Sequence, residues 1–149
     1  MSNYLLIVSL MTLSIFGLGT SAYLIYNHYN PVLQGSICDI TASVSCTVVN
    51  SGIYSKIAGI PVAVYGVAWF LVSGALSWRS SRNKNASKQL LGWNALGLLF
   101  VIYFIYIEFL LGAICPFCTV VHVLIALSLI LSILLYKKFY KSELLSGKE

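Results

Sequence analysis

Charge is what this sequence has least of. Nine Lys and Arg with four Asp and Glu make up 9% of the 149 residues, against about a quarter in a soluble domain. With 59% of residues hydrophobic and a mean hydropathy of +0.90, a soluble globular domain, a disordered chain and a large multidomain enzyme are all excluded. Nucleic acid is excluded as a partner too, because the net charge of +5 rests on so few cations. There are three prolines, with no Pro-rich linker, internal repeat or low-complexity run. One domain, 1–149, is therefore expected. Two His and four acids leave four cysteines as the main source of chemistry.

What the chain has in quantity is long apolar runs. A bilayer core of about 30 Å takes roughly 20 helical residues, and four runs reach that length, at 4–26, 60–78, 90–114 and 117–136. Backbone groups in lipid must be paired within the segment, so the runs are read as helices. The first is too long for a signal peptide, has no Lys or Arg before it and stays apolar past Thr20, Ser21 and Ala22, so it is read as an uncleaved span. The expected fold is an all-α membrane protein, a bundle of four transmembrane helices. Tyr23, Tyr26, Trp78, Trp93 and Tyr136 are expected at helix ends in the interface. Gly17, Gly19, Gly66, Gly74, Gly92 and Gly97 are expected to let helices approach.

Orientation follows from the cations. Arg79, Arg82, Lys84 and Lys88 fill the 79–89 loop, and Lys137, Lys138, Lys141 and Lys148 outnumber Glu143 and Glu149 in the tail 137–149. The long 27–59 loop holds only Lys56 and Asp39 as charged residues. The positive-inside rule then places loop 79–89, the tail and both termini in the cytoplasm, and loop 27–59 and the 112–116 turn outside. A multi-pass protein of the cell membrane is expected.

On this map all four cysteines fall on the extracytoplasmic side, where disulfides persist. Cys115-Pro116-Phe117-Cys118 is a C-x-x-C at the start of the fourth span, with Pro116 suited to a first helical turn. The helix N-terminus favours a thiolate, and two sulfurs at i and i+3 share a face. Cys38 and Cys46 form a wider pair in the outer loop. A structural zinc site and a pair of static staples are the competing readings. The C-x7-C spacing is too wide for a zinc knuckle, and a C-x-x-C closes almost no loop for a staple to stabilise. Two pairs on one membrane face suggest a relay by thiol–disulfide exchange. The loop pair would meet a soluble partner; the fixed pair would meet an apolar acceptor within the bundle, most simply a quinone.

The run Cys38-Asp39, Ser45-Cys46-Thr47-Val48-Val49-Asn50-Ser51, then Tyr54-Ser55-Lys56, Gly59-Ile60-Pro61-Val62-Ala63-Val64-Tyr65-Gly66 and Cys115-Pro116-Phe117-Cys118 resembles the vitamin K epoxide reductase family, its prokaryotic branch in particular. The likeness spans nearly the whole chain. It implies a four-helix bundle around a quinone site, capped by the extracytoplasmic loop with a short half-helix. It also implies the catalytic roles. Cys38 would exchange with a thioredoxin-like extracytoplasmic partner, and Cys46 would attack the C-x-x-C disulfide. Cys115 would be the sulfur attacked, and Cys118 the one that delivers electrons to ubiquinone, menaquinone or a vitamin K-type quinone. No metal is called for.

The sequence departs from the family's pattern in several respects. Two hydroxyl residues often follow the second loop cysteine; here they are Ser51 and Gly52, leaving Ser51 as the candidate polar support. The animal enzymes carry Tyr and Asn where this chain has His122 and Val62, the positions implied to bind the ring oxygens. Prokaryotic members are often fused to a thioredoxin-like domain; with 13 residues after the fourth span, the partner is expected to be a separate protein.

His122, one turn beyond Cys118, is a candidate quinone ligand and proton donor, or else a structural histidine. Glu108 is the one acid within a span, read as a protonated or paired structural group or as a proton relay. Tyr103, Tyr106 and Glu108 also resemble the prokaryotic branch. His28, Asp39 and Lys56 are read as loop or interface residues, His28 solvated. Two further readings stay open: a reductase of vitamin K quinone or epoxide using the same sulfurs, and a non-enzymatic membrane module with structural disulfides or metal-bound cysteines.

Overall fold

The computed structural model describes residues 3–30 and 38–146, without the side chains of Ile53 and of 141–146. Four long helices dominate: α1 (Asn3–Tyr29), α3 (Val62–Ser80), α4 (Lys84–Leu111) and α5 (Pro116–Ser146). All four are long and apolar enough to cross a membrane, so the protein is an all-α, multi-pass membrane bundle. Between α1 and α3 lies a cap containing the short helix α2 (Cys46–Ser51), a 3-10 turn at Ile53–Ser55, and a two-strand hairpin of β1 (Lys56–Ile57) with β2 (Ile60–Pro61). Ala58 and Gly59 turn that hairpin with positive φ.

The helices form a ring in which α1 packs on α3 and α5, and α4 packs on the same two. Lipid tails are as apolar as leucine, so burying leucine adds little; close packing and interhelical hydrogen bonds hold such a bundle. Gly17 lies directly beneath the buried Phe70 ring and Gly97 beneath the Trp69 indole, while Gly66 faces Ser21. A side chain at Gly17 or Gly97 would occupy space those rings already fill. A Cβ added at Gly19 or Gly92 would meet nothing within 4 Å among the described residues beyond its own helix backbone, so the close helix approach expected there is not found. Asn94, fully buried on α4, donates to the Ser128 carbonyl of α5 at 3.3 Å. Buried serines such as Ser14 and Ser77 donate to carbonyls one turn earlier in their own helices, which lets a hydroxyl sit in a lipid-embedded interior without an orphaned donor.

The helix ends differ from those expected from hydropathy. The 79–89 loop shrinks to three residues, 81–83, because Asn83 caps α4 by accepting the Asn85 N–H at 2.9 Å and the polar Lys84–Gln89 stretch is helical. The fourth helix continues past 136 to Ser146, and its tail holds no Pro or Gly before Gly147. Apolar character ends where lipid ends; a helix ends where a cap or breaker stops it.

Gly17→Ala should therefore destabilise the bundle by about 1–3 kcal/mol through overpacking, read as a lower thermal midpoint in detergent. Adding Phe70→Leu should return part of the loss, and an unchanged midpoint for Gly17→Ala alone would show that α1 and α3 are not held this closely.

Candidate functional site

The four cysteines meet at the cap end of the bundle. Gly112 starts the arrangement. Its φ of 63° closes α4, with its N–H on the Phe109 carbonyl at 3.2 Å and the Ala113 N–H on the Glu108 carbonyl at 3.3 Å. This is a Schellman ending, and glycine is the residue that adopts the left-handed position without strain. The chain then runs extended through Ile114 into Cys115. α5 begins at Pro116, as the missing proline N–H allows, and the Cys115 sulfur accepts the Cys118 N–H at 3.2 Å, the position of an N-cap.

Backbone pairing brings the second cysteine pair to this point. Residues 41–44 make a tight turn, and Val44 pairs with Ile114. The Ile114 N–H donates to the Ser43 carbonyl at 2.9 Å, and the Ser45 N–H donates to the Ile114 carbonyl at 3.1 Å. Cys46 follows at once as the first residue of α2. Its sulfur is bonded to Cys38 and lies 3.2 Å from the Cys115 sulfur. Cys115 and Cys118 are free thiols. Cys38, Cys46 and Cys115 are buried, at 4%, 1% and 0% exposure; Cys118 is partly exposed.

Asp39 fastens the loop. Its carboxylate accepts the Ser45 hydroxyl at 2.6 Å, the Thr47 hydroxyl at 2.5 Å and the Thr47 N–H at 3.1 Å. The Ser45 hydroxyl oxygen in turn caps α2 by accepting the Val48 N–H. The other end of α2 is tied to α1: the Asn50 side chain donates to the Leu24 carbonyl at 2.7 Å, and His28 Nδ1 lies 2.6 Å from the Asn50 carbonyl. His28 is thus half-buried and engaged with the cap, where a solvated role had been expected. Lys56 is exposed on β1.

Below the cap a cavity of about 480 Å³ opens among α1, the cap, α3, α4 and α5, within the range of small-molecule sites. Cys118, His122, Val62 and Glu108 all line it. Its deeper wall contains Trp69 and Trp93, stacked with centroids 6.4 Å apart. Trp93 thus turns its ring toward the cavity and Trp69. Glu108 is 8% exposed and accepts the Cys115 N–H at 3.2 Å. Ser51 is exposed and is not brought to the cavity; Asn50 and the buried Ser55 line it from the same segment. α2 turns Ser51 outward, and the following 3-10 turn carries Ser55 inward. Phe117 packs on Tyr23, with ring centroids 4.8 Å apart.

Geometry of this kind permits sulfur-to-sulfur exchange at one end and contact between a thiol and an apolar guest at the other. Compared with known proteins, residues 8–133 match a family model described as the vitamin K epoxide reductase family. The search of curated proteins gave no match.

Asp39→Ala should loosen the loop on α2 without dissolving the bundle. Loss of a cap of this sort costs about 1–2 kcal/mol, a factor of about 5–30 in the open population. The Cys38–Cys46 bond should be reduced faster by a soluble phosphine by a similar factor, and an unchanged rate would remove Asp39 as the fastening.

Proposed function

Because the chain belongs to the vitamin K epoxide reductase family, a family of oxidoreductases, we propose that it oxidises a thioredoxin-like protein and passes the electrons to a quinone, supporting disulfide formation in exported proteins. The observation that carries this reading is the 3.2 Å approach of the Cys46 and Cys115 sulfurs above a cavity that Cys118 lines.

The steps balance as follows. The partner's dithiol reduces the Cys38–Cys46 bond through a mixed disulfide at Cys38, and leaves oxidised. The Cys46 thiolate then attacks Cys115 of the Cys115–Cys118 disulfide, releasing the Cys118 thiolate. Cys38 resolves the Cys46–Cys115 bridge, which restores the loop disulfide and leaves two thiols at the C-x-x-C. The redox state described above, a closed loop pair beside two free thiols, is the state this order of transfer leaves behind. Re-forming the Cys115–Cys118 bond then gives two electrons and two protons to the quinone, yielding quinol. Cys38 is 4% exposed, so docking of a partner requires the 38–45 turn to lift.

Within the cavity, His122 stands one helical turn beyond Cys118, about 6 Å along α5, as a hydrogen-bond donor for a ring oxygen. Val62 offers an apolar wall where the animal enzymes carry Asn, which favours a simple quinone over an epoxide as substrate. Glu108 holds the Cys115 backbone in place through its N–H and stands beside both C-x-x-C sulfurs. The cations near Arg79 to Lys88 and at Lys137 and Lys138 put the opposite end of the bundle in the cytoplasm. The cap and all four cysteines would then face outward at the cell membrane.

The deciding experiment supplies reduced thioredoxin-like protein and a soluble quinone analogue to the purified chain and follows quinone absorbance. Cys46→Ser removes the loop disulfide that the partner's thiolate must open, so partner oxidation and quinone reduction should both fall to background; continued turnover would overturn the relay. In single-turnover measurements, His122→Ala should slow quinone reduction by about 10²-fold, as expected for loss of a proton donor, and leave partner oxidation little changed. Equal, mild effects on both half-reactions would assign His122 to structure.

A further inference from the structure

Glu108 is more than the relay requires. One of its carboxylate oxygens and the Cys115 and Cys118 sulfurs all lie within 4.8 Å of one another, and exchange between disulfides needs only the sulfurs. We infer that the reduced C-x-x-C pair and Glu108 form a binding site for one thiophilic divalent cation of the zinc class, and that its occupancy arrests the relay.

The donor set suits such an ion. Zinc takes thiolate at about 2.3 Å and carboxylate at about 2.0–2.2 Å in a tetrahedron, and open sites commonly use three protein ligands. Donors spread over 4.8 Å need move little to converge on one centre. The fourth position faces the cavity, which Cys118 and Glu108 both line, and Cys118 as the partly exposed member gives a route inward. Two of the ligand side chains are already held by backbone donors: the Cys118 N–H points at the Cys115 sulfur and the Cys115 N–H at a Glu108 carboxylate oxygen, each at 3.2 Å. Contacts of this second layer orient ligands and are normally a large part of a metal site. Two thiolates and a carboxylate leave one net negative charge on a zinc complex, and the N-terminus of α5 supplies partial positive charge beside it.

The site is gated by redox state. Binding exchanges two thiol protons for the cation and moves no electron. A dithiolate bound to metal cannot close into the disulfide, so its electrons stay where they are. The Cys115–Cys118 disulfide offers no thiolate and binds nothing. Cys46 is near Cys115 but sealed in its bond to Cys38, so it adds no ligand in the form described. This goes beyond the absence of a metal requirement expected from the sequence: the cation is an inhibitor and not a resident group.

Cadmium, read by its ultraviolet thiolate charge-transfer band, tests the site. The full-length chain with Cys38→Ser and Cys46→Ser, purified in detergent and reduced, should bind one cadmium ion and release about two protons. Glu108→Gln in that background should weaken binding about 10-fold or more, taking the loss found for supporting groups as a lower bound, with both thiols still counted by a thiol reagent. Equal affinity with and without the carboxylate would overturn the assignment of Glu108. A second reading needs no change at Glu108: oxidising Cys115 and Cys118 to the disulfide must abolish the band, and a surviving band would overturn the site. In the chain with its four native cysteines, zinc should block quinone reduction reversibly with a chelator; zinc binding with undiminished turnover would overturn the inhibition. The cadmium measurements do not depend on quinone chemistry, so the site and the proposed function can fail separately.

Discussion

The short backbone ladder between 43–45 and Ile114 is the constraint on which the remainder of the site depends. Two hydrogen bonds, at 2.9 and 3.1 Å, carry no chemistry themselves. They fix the register of the cap loop against the segment leading into α5, and the next residue on each side is a cysteine. Thiol–disulfide exchange requires sulfur to approach sulfur closely, and a shift of one residue in that ladder would turn one of the two side chains to the opposite face. The membrane setting makes this a sensible place for precision. Within the bundle, apolar burial contributes little specificity because lipid competes equally well for the same surface. Directional backbone bonds at the rim supply what packing cannot.

The cap must meet two opposed demands. On the proposed relay it would have to hold Cys46 against Cys115 and also release Cys38 to a soluble partner. The distribution of bonds answers both. Asn50 and His28 tie the far end of α2 to α1, while Asp39 fastens the near end through Ser45 and Thr47. The Asp39 bonds lie within the loop that carries the reacting pair. They can open without disturbing the attachment of α2 to α1. A cap anchored equally at both ends would close the route to Cys38, and one anchored at neither would lose the approach to Cys115.

The division between what was legible in the sequence and what was not follows the range of the interactions. Four spans could be read because hydropathy over about 20 residues is a local property. Pro116 opening α5 between two cysteines could be read for the same reason. The ends of α4 and α5 could not be read from hydropathy, since Asn83 capping and the absence of a breaker before Gly147 are not hydropathy signals. Cys38, Cys46, Cys115 and Cys118 were singled out by spacing and family resemblance, but the Val44–Ile114 pairing that joins them spans 70 residues and leaves no periodic trace. Ser51 is the candidate that the family's hydroxyl position offers; which polar side chain of this segment faces inward depends on where α2 stops. The stacking of Trp93 on Trp69 is a tertiary fact that residue type does not carry. Asp39 reads from the sequence only as a loop or interface residue, since a lone acid carries no spacing pattern. Its proximity to Ser45, Cys46 and Thr47, a hydroxyl-rich helix start, is the signal that could have found it.

Glu108 shows how one polar residue can be tolerated in such an interior. An ionised carboxylate in lipid is costly, and a buried one persists when it is protonated, bonded or paired. Here the groups available to it come from the end of its own helix and the start of the next. The Schellman turn at Gly112 reverses the chain so that Cys115, seven residues after Glu108, offers its N–H to that carboxylate. The same turn that ends α4 therefore satisfies the acid and positions the sulfur. Removing the acid would leave the Cys115 N–H without its acceptor at the point where the chain enters α5, so the carboxylate and the C-x-x-C form one structural unit. A group so placed is adjacent to thiols by necessity. In the proposed cycle, carboxylate and dithiol together would make an environment whose affinity for cations is lost each time the sulfurs are oxidised.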